Sequence, residues 1–355
     1  MKKVNHFEAT AAMALDMLAK GSTRKIYNLA AGDPDTDVCD ALKNAFVTTD
    51  LTRTHNYGNS QGNPALRSRI WNDPDEVILA NGSKQLVFMA LRAVTQPGDK
   101  VVIVGPCWAS YLKMCDILGI RTELVIGKEE NGYVPDDARI YAAVDRGTAA
   151  VILNNPNNPT GAVYDALSWA DGIRERLQKD APWIIADEIY RHITDRKFVS
   201  LRGKENAIVI DGFSKSYNIT GWRLGYAIAP KEVIRTMAAL QSQMSGPPST
   251  PVQDIMLRAL DTAEITDYGI YRERIDILCE IPKFARFRPA GTFYFYLPID
   301  EQWESSMALC RYLLEEYGIA VTPGEEYGVE RTVRVSVAHV PAEELRVIRE
   351  GLKEI

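Results

Sequence analysis

Short runs of apolar, mostly β-branched residues recur from Glu76 onward, and stretches with apolar residues at helical spacing separate them. This alternation is typical of a parallel sheet with helices on both faces. The pattern therefore predicts an α/β fold in which seven strands form one large sheet. The predicted strands are residues 76–80, 100–104, 122–126, 149–154, 183–187, 207–211 and 225–229.

The segments between these strands carry apolar residues three and four positions apart, as in helices that bury one face. One such stripe is formed by Tyr111, Leu112, Cys115 and Leu118. We expect each stripe to pack on the sheet, which leaves the ends of the strands for function.

The pattern changes after about residue 270. A helix at residues 271–279, a strand at 292–297, a helix that ends at Gly318, a strand at 332–338 and a last helix opened by Pro341 follow one another. This order predicts a second, smaller α+β domain. We predict a large domain of residues 33–270 and a small domain of residues 1–32 and 271–355.

Composition excludes several classes of protein. The chain has 355 residues, with 41 Lys plus Arg against 47 Asp plus Glu and a net charge of −6. It lacks the basic block that is typical of proteins that bind nucleic acid. No apolar run approaches the roughly 18 residues of a membrane span, and none near the N-terminus resembles a signal peptide. Five cysteines without a Cys-x-x-Cys pair favour reduced thiols and a cytoplasmic location, and four scattered histidines give little support to a metal site.

Polar residues follow several strands, where ligands of open α/β sheets collect. Ser83 and Lys84 open a helix whose free backbone N–H groups suit a phosphate, although an ordinary strand-to-helix turn has the same pattern. Asp187 ends an apolar strand, and Tyr190 follows it. A carboxylate there needs a cation or a protonated ring nitrogen as its partner, unless it only caps the next turn.

A lysine and an arginine complete this set. Lys215 follows the strand at residues 207–211, where loss of hydration would lower its pKa and free the amine to form a Schiff base, whereas most lysines in turns are simply exposed. Arg223 precedes a buried strand and is expected to bind an anion or to form a structural ion pair. A phosphate, a basic ring nitrogen and an aldehyde are the three groups of pyridoxal phosphate.

Seven motifs in order resemble the class I/II aminotransferases, the aspartate-aminotransferase-like branch of the fold-type-I pyridoxal-phosphate enzymes. They are residues 28–35, 57–67, 106–108, 158–161, 186–190, 214–223 and 334–336. The resemblance covers nearly the whole chain. It implies the fold-type-I architecture, pyridoxal 5′-phosphate as cofactor, and ping-pong transfer of an amino group between an amino acid and a 2-oxo acid.

The resemblance also implies a role for individual residues. Lys215 would form the Schiff base and carry the proton between substrate and cofactor, and Asp187 would keep the pyridine nitrogen protonated. Tyr190 and Asn158 would contact the 3′ oxygen of the cofactor. Trp108 would stack on its ring.

The phosphate would be held by Ser83, Lys84, Ser214 and Arg223. Tyr57 would reach it from the neighbouring subunit, which implies a homodimer with shared active sites.

On the substrate side, Arg334 would bind the α-carboxylate, with help from Asn158 and the backbone near Gly32. Lys84 also resembles a lysine that contacts the distal carboxylate of the substrate in some bacterial members, which favours acidic amino acids. Gly212 stands where the usual motif has a serine, so one phosphate hydroxyl would be missing.

Two other functions are alternatives, and the second fits these residues less well. A lyase, cyclase or oxidase would use the same cofactor, lysine and aspartate for a different outcome. A catalytically silent binding protein on this scaffold would not need Lys215, Asp187 and Arg223.

Overall fold

The computed structural model of the chain describes residues 24–355. The strands are β1 (Tyr27–Asn28), β2 (Val77–Ala80), β3 (Lys100–Gly105), β4 (Arg121–Ile126), β5 (Thr148–Asn154), β6 (Trp183–Asp187), β7 (Ala207–Gly212), β8 (Gly225–Ile228), β9 (Tyr294–Pro298), β10 (Ile319–Ala320), β11 (Thr322–Pro323) and β12 (Thr332–Ser336). The helices are α1 (Asp40–Thr48), α2 (Pro64–Ile70), α3 (Ser83–Val94), α4 (Ala109–Leu118), α5 (Asp137–Ala143), α6 (Ala166–Leu177), α7 (Lys231–Met244), α8 (Thr250–Ala259), α9 (Tyr268–Leu278), α10 (Pro282–Arg286), α11 (Ser306–Tyr317) and α12 (Ala342–Leu352). Within residues 24–355, no helix has both the length and the apolar character needed to cross a membrane.

Strands β2 to β8 form one sheet in the order β2-β8-β7-β6-β5-β3-β4. Strand β8 is antiparallel to β2 and β7, whereas the other neighbouring strands are parallel. This confirms the predicted α/β fold with a mainly parallel seven-stranded sheet, and the ends of the seven strands predicted for this sheet agree within one residue. The carboxyl ends of β2, β5, β6 and β7 therefore lie at the same edge of the sheet as the start of β8.

Both faces of this sheet are covered, because successive residues of a strand point to opposite sides. On one face, Ile152 and Ile185 pack beneath helices α3 and α4 and are at most 1% exposed. On the other face, Val151 and Ile184 pack against α5 and α6 and are fully buried. Burial on both sides explains why these strands are apolar throughout rather than alternating with polar residues.

A smaller α+β unit adjoins the large sheet, as predicted. Its three antiparallel strands have the order β11-β12-β9, and β1 pairs with β10. Helices α9, α11 and α12 share one apolar cluster with this sheet, including the fully buried Leu278, Leu313 and Leu345. Because β1 pairs with β10, the segment just before residue 33 is consistent with the prediction that residues 1–32 belong to the small domain. Residues 1–23 of that segment lie outside the described part of the chain.

Two predicted strands of the small unit differ in their ends. The strand expected at residues 292–297 begins at Tyr294, because Thr292 has a φ of 61° and turns the chain before the strand starts. The strand expected at 332–338 ends at Ser336. Tyr294 and Ser336 are paired across the two strands, so the two ends coincide.

Candidate active site

A cavity of about 260 Å³ opens at the carboxyl edge of the large sheet and reaches the small unit. Its lining residues are Gly32, Ser83, Trp108, Tyr111, Asn154, Asn158, Asp187, Ile189, Tyr190, Lys215, Tyr294 and Arg334. Eight of these residues were predicted from the sequence, and segments far apart in the chain bring them together. In the part of the chain that the structure describes, no group of three or more His, Cys, Asp or Glu side chains could hold a metal ion.

Lys215 lies in the loop that follows β7, and its ammonium group donates a hydrogen bond to the carbonyl oxygen of Gly32. Burial lowers the pKa of Lys215 from 10.5 to about 8, although the negative charge of Asp33 opposes this effect. A larger fraction of this amine is therefore neutral near pH 7 than of an exposed lysine. A neutral amine is the form that attacks a carbonyl carbon.

Asp187 ends β6 and is 3% exposed. One carboxylate oxygen accepts a hydrogen bond of 2.6 Å from the hydroxyl of Tyr111, and the other accepts one of 3.3 Å from the backbone N–H of Ile189. Burial raises the pKa of Asp187 from 3.8 to about 6, against the effect of these two donors. None of the salt bridges among the described residues involves this carboxylate, so a cationic ring nitrogen suits it as a partner.

The side predicted to bind phosphate is built at the start of helix α3. Gly82 has a φ of +87°, and a β-carbon there would overlap the guanidinium group of Arg223. Arg223 is held by hydrogen bonds to the carbonyl oxygens of Thr220 at 2.9 Å and Asn81 at 3.3 Å. The free N–H groups of the helix start and an adjacent arginine form a site suited to an anion.

Two other residues were predicted at the phosphate: Lys84 lies in the first turn of α3, and Ser214 lies next to Lys215. The ammonium nitrogen of Lys84 is 5.0 Å from the centre of the Trp108 ring. Burial lowers the pKa of Lys84, and the charge of Arg223 lowers it further. Ser214 is 7% exposed and directly precedes Lys215.

Arg334 lies on β12 and is 7% exposed. One of its terminal nitrogens donates to the side-chain oxygen of Asn158 at 3.1 Å, and the other donates to the carbonyl oxygen of Ala30. The guanidinium carbon is 4.5 Å from the centre of the Tyr294 ring and 5.0 Å from that of Tyr327. This buried cation is well placed to receive a carboxylate at the edge of its guanidinium plane.

Four predicted site residues do not line this cavity, namely Lys84, Ser214, Arg223 and Tyr57, and Tyr57 is 98% exposed. Tyr57 is the one of the four predicted to act on another subunit. Its predicted contact with the phosphate requires a second subunit. That contact stays a prediction.

Four residues of the cavity were not singled out in the sequence: Tyr111, Asn154, Ile189 and Tyr294. Asn154 ends β5 directly beside Asp187, and its side chain accepts the N–H of Asn158 at 2.7 Å. Its place at a strand end was a usable signal. Tyr111 was assigned to an apolar helix stripe, and its ring does pack there while its hydroxyl reaches Asp187.

Comparison with known proteins agrees with this geometry. The model of the family described as aminotransferase class I and II matches residues 24–352. The aspartate/prephenate aminotransferase of Thermus thermophilus is 32% identical over 352 residues, which cover 93% of this chain and 90% of that protein. The aspartate aminotransferase of Rhizobium meliloti is 30% identical over 370 residues, which cover 95% and 89%.

Solved structures agree as well. The aspartate aminotransferase from Thermus thermophilus with maleate is similar at a TM-score of 0.87 and 31% identity, over 97% of this chain and 94% of that one. The matched 97% of this chain therefore includes most of both the large sheet and the small unit. Because the family match extends over nearly the whole chain, this protein belongs to the class I and II aminotransferases, a family of transferases that work by a ping-pong mechanism through a lysine Schiff base.

Proposed function

We propose that this aminotransferase binds pyridoxal 5′-phosphate covalently at Lys215 and moves amino groups between an amino acid and a 2-oxo acid. The observation that carries the proposal is the meeting of three groups in one cavity. These are the buried amine of Lys215, the buried carboxylate of Asp187, which has no cationic partner among residues 24–355, and the start of α3 at Ser83 beside Arg223. Each group suits a different part of the cofactor.

The residues of the chain divide the work. When bound, the cofactor supplies an electron sink for the charge that develops at the substrate Cα. Asp187 would accept a hydrogen bond from the ring nitrogen and hold its proton, and Trp108 would cover the ring face. Lys215 would remove the Cα proton and return it, a task that its pKa of about 8 suits near neutral pH. Arg334 would hold the α-carboxylate.

We further propose an acidic amino acid as one substrate. The names of the similar proteins include aspartate/prephenate aminotransferase and aspartate aminotransferase, and one similar structure is described with maleate. In this chain, Lys84 supplies a cation 5.0 Å from the centre of the Trp108 ring, and Arg334 supplies a second cation beside Asn158. A substrate with two carboxylates would use both cations.

The test begins with purified protein and added pyridoxal 5′-phosphate. We expect a visible absorbance band, trapping by borohydride, and a labelled peptide that contains Lys215. Lys215→Ala should lose the band and the label, whereas Lys204→Ala should keep both, because Lys204 pairs with Asp171 outside the cavity. A wild-type protein that binds no cofactor would contradict the proposal.

The reaction is tested by a screen of amino donors against 2-oxoglutarate and pyruvate, read by mass spectrometry. Stoichiometric oxo acid is the expected product, and release of ammonia or a cyclised product would instead indicate a lyase or cyclase. With saturating pyridoxal 5′-phosphate, Lys84→Met should lower kcat/KM for aspartate about tenfold or more beyond any loss for alanine, since loss of a charged hydrogen bond costs on the order of 1.5–3 kcal/mol. Equal losses for both donors would exclude Lys84 as the specificity residue.

We also propose a cytoplasmic homodimer in which Tyr57 completes the partner's phosphate site. The support is the exposure of apolar side chains in one segment, with Tyr57 98% and Leu51 52% exposed. Sedimentation should give twice the mass of one chain, and Tyr57→Phe should weaken cofactor binding without breaking the dimer. A monomer with full cofactor affinity would refute this assignment.

A further inference from the structure

Tyr294 touches three separate parts of the candidate active site, although it belongs to the small unit. It opens β9 and is 1% exposed. Its hydroxyl oxygen is 3.0 Å from the hydroxyl oxygen of Tyr190, and its ring lies 4.5 Å from the guanidinium carbon of Arg334. The same hydroxyl lies so close to Gly32 that a β-carbon at residue 32 would overlap it.

The position of this ring is closely determined by its surroundings. The backbone N–H of Tyr294 donates to the hydroxyl of Thr292 at 3.2 Å, and the ring of Phe293 packs 4.7 Å away. A β-carbon at Gly161 would come within 2.8 Å of the Tyr294 carbonyl oxygen, so the loop of the large domain is also in close contact. Tyr294 therefore has little freedom to move away from its neighbours in the cavity.

Hydrogen counting assigns a direction to the contact between the two phenols. A tyrosine hydroxyl has one hydrogen to donate and can also accept a hydrogen bond. When Tyr190 donates that hydrogen to the 3′ oxygen of the cofactor, its own oxygen is left as an acceptor. Tyr294 is then the group 3.0 Å away that can donate to it.

The ring of Tyr294 has a second effect, on Arg334. The rings of Tyr294 and Tyr327 lie at 4.5 and 5.0 Å from the guanidinium carbon, and both contacts are of the cation–π type. Ring contacts of this kind lie over the faces of the guanidinium group and leave its edge open, where the Nε–H has no hydrogen-bond partner among the described residues. That edge is the part that makes two parallel hydrogen bonds with a carboxylate.

We propose that Tyr294 is a positioning residue with two actions: its hydroxyl supports Tyr190 at the 3′ oxygen of the cofactor, and its ring orients Arg334 toward the substrate carboxylate. This inference rests on the proposed function. It connects the two binding regions through one side chain, because the same ring contacts both Tyr190 and Arg334.

The hydroxyl is tested with Tyr294→Phe, which removes one oxygen atom and keeps the ring. The visible band of the loaded enzyme would titrate as Nζ of Lys215, bonded to the cofactor, loses its proton, and the negative 3′ oxygen nearby would stabilise the proton on that nitrogen. Weaker support of the 3′ oxygen should therefore raise the midpoint of this titration, by about 0.5 to 1 pH unit for one hydrogen bond. Absorbance against pH measures the shift without any turnover.

The matched control is Tyr296→Phe. Tyr296 lies two residues further along β9, is 2% exposed, and donates its hydroxyl to the carbonyl oxygen of Gly324 at 3.0 Å. The Tyr296→Phe variant also loses one hydroxyl oxygen from β9, but that oxygen does not contact Tyr190. We expect its titration midpoint to stay at the wild-type value.

The ring is tested with Tyr294→Leu, using the amino donor that the screen identifies. Tyr294→Phe should keep KM within about twofold of wild type, whereas Tyr294→Leu should raise KM about tenfold or more because Arg334 loses one of its two ring contacts. An unshifted midpoint in Tyr294→Phe would refute the action through Tyr190, and an unchanged KM in Tyr294→Leu would refute the action on Arg334. A wild-type protein without a visible band would instead refute the proposed function itself.

Discussion

Asp187 is expected to destabilise the protein in the absence of cofactor, and removal of its charge should show this. In the folded chain, burial raises the pKa of this carboxyl from 3.8 to about 6. The fold therefore disfavours the ionised form, and stability decreases as the pH rises from about 4 to about 6 and stays lower above that range. Asp187→Asn removes the charge and keeps an oxygen that can accept the hydrogen bond from Tyr111.

The magnitude follows from the rise in pKa. Since one pKa unit corresponds to about 1.36 kcal/mol, the ionised carboxylate costs at most about 3 kcal/mol at pH 8 and about half of that at pH 5. Unfolding entropy of roughly 2.1 cal/mol/K per residue over 355 residues converts 3 kcal/mol to a rise in Tm of about 4 °C. The cofactor-free variant should therefore melt higher than the cofactor-free wild type at pH 8.

The assay is thermal unfolding of both proteins at pH 8 and pH 5, with and without pyridoxal 5′-phosphate. Asp116→Asn is the matched control, because Asp116 is an exposed carboxylate on α4 and its removal should change stability by less than about 0.5 kcal/mol. With cofactor the order should reverse, since a ligand stabilises the protein that binds it more tightly. A cofactor-free Asp187→Asn protein that melts below wild type at pH 8 would refute the reasoning.

Three further predictions concern the same cavity. Because burial lowers the pKa of Lys215 to about 8, the rate at which the cofactor-free protein binds cofactor should rise with pH up to about 8. Stopped-flow absorbance measures this rate, and a rise that continued to pH 10 would contradict the prediction. Arg334→Lys should raise KM for the amino donor about 10- to 100-fold while kcat falls less, because a lysine cannot form the paired hydrogen bonds of a guanidinium group. Equal changes of KM and kcat in steady-state kinetics would argue against this role. Gly82→Ala should weaken cofactor binding more than a hundredfold by displacing Arg223 and straining a φ of +87°, whereas unchanged affinity in an equilibrium titration would show that this loop does not bind the phosphate.

The strands and much of the cavity could be predicted because they depend on local pattern and one rule of topology. Burial on both faces makes the strands of the large sheet continuously apolar, so their ends are visible along the chain. Parallel strands bring their carboxyl ends to one edge, and Asp187 and Lys215 therefore meet there although one ends β6 and the other follows β7. Resemblance to a family then supplied expected roles that the pattern could not, such as that of Arg334.

Other contacts could not be derived from pattern. The spacing of Tyr111 matches an apolar helix stripe, and only the rotation of α4 on the sheet directs its hydroxyl to Asp187. Thr292 was expected inside a strand, yet its positive φ places the start of β9 at Tyr294.

Sequence alone therefore determined the α/β class, the order of the elements and the residues at the strand ends, because periodic burial and chain direction are local properties. Tertiary structure alone decided which phenols reach Asp187 and Tyr190, and how the small unit presents Arg334 to the large sheet. The physical reason is that a hydrogen bond requires two groups to meet within about 3 Å. That distance depends on how whole helices and sheets pack, which no single stretch of residues specifies.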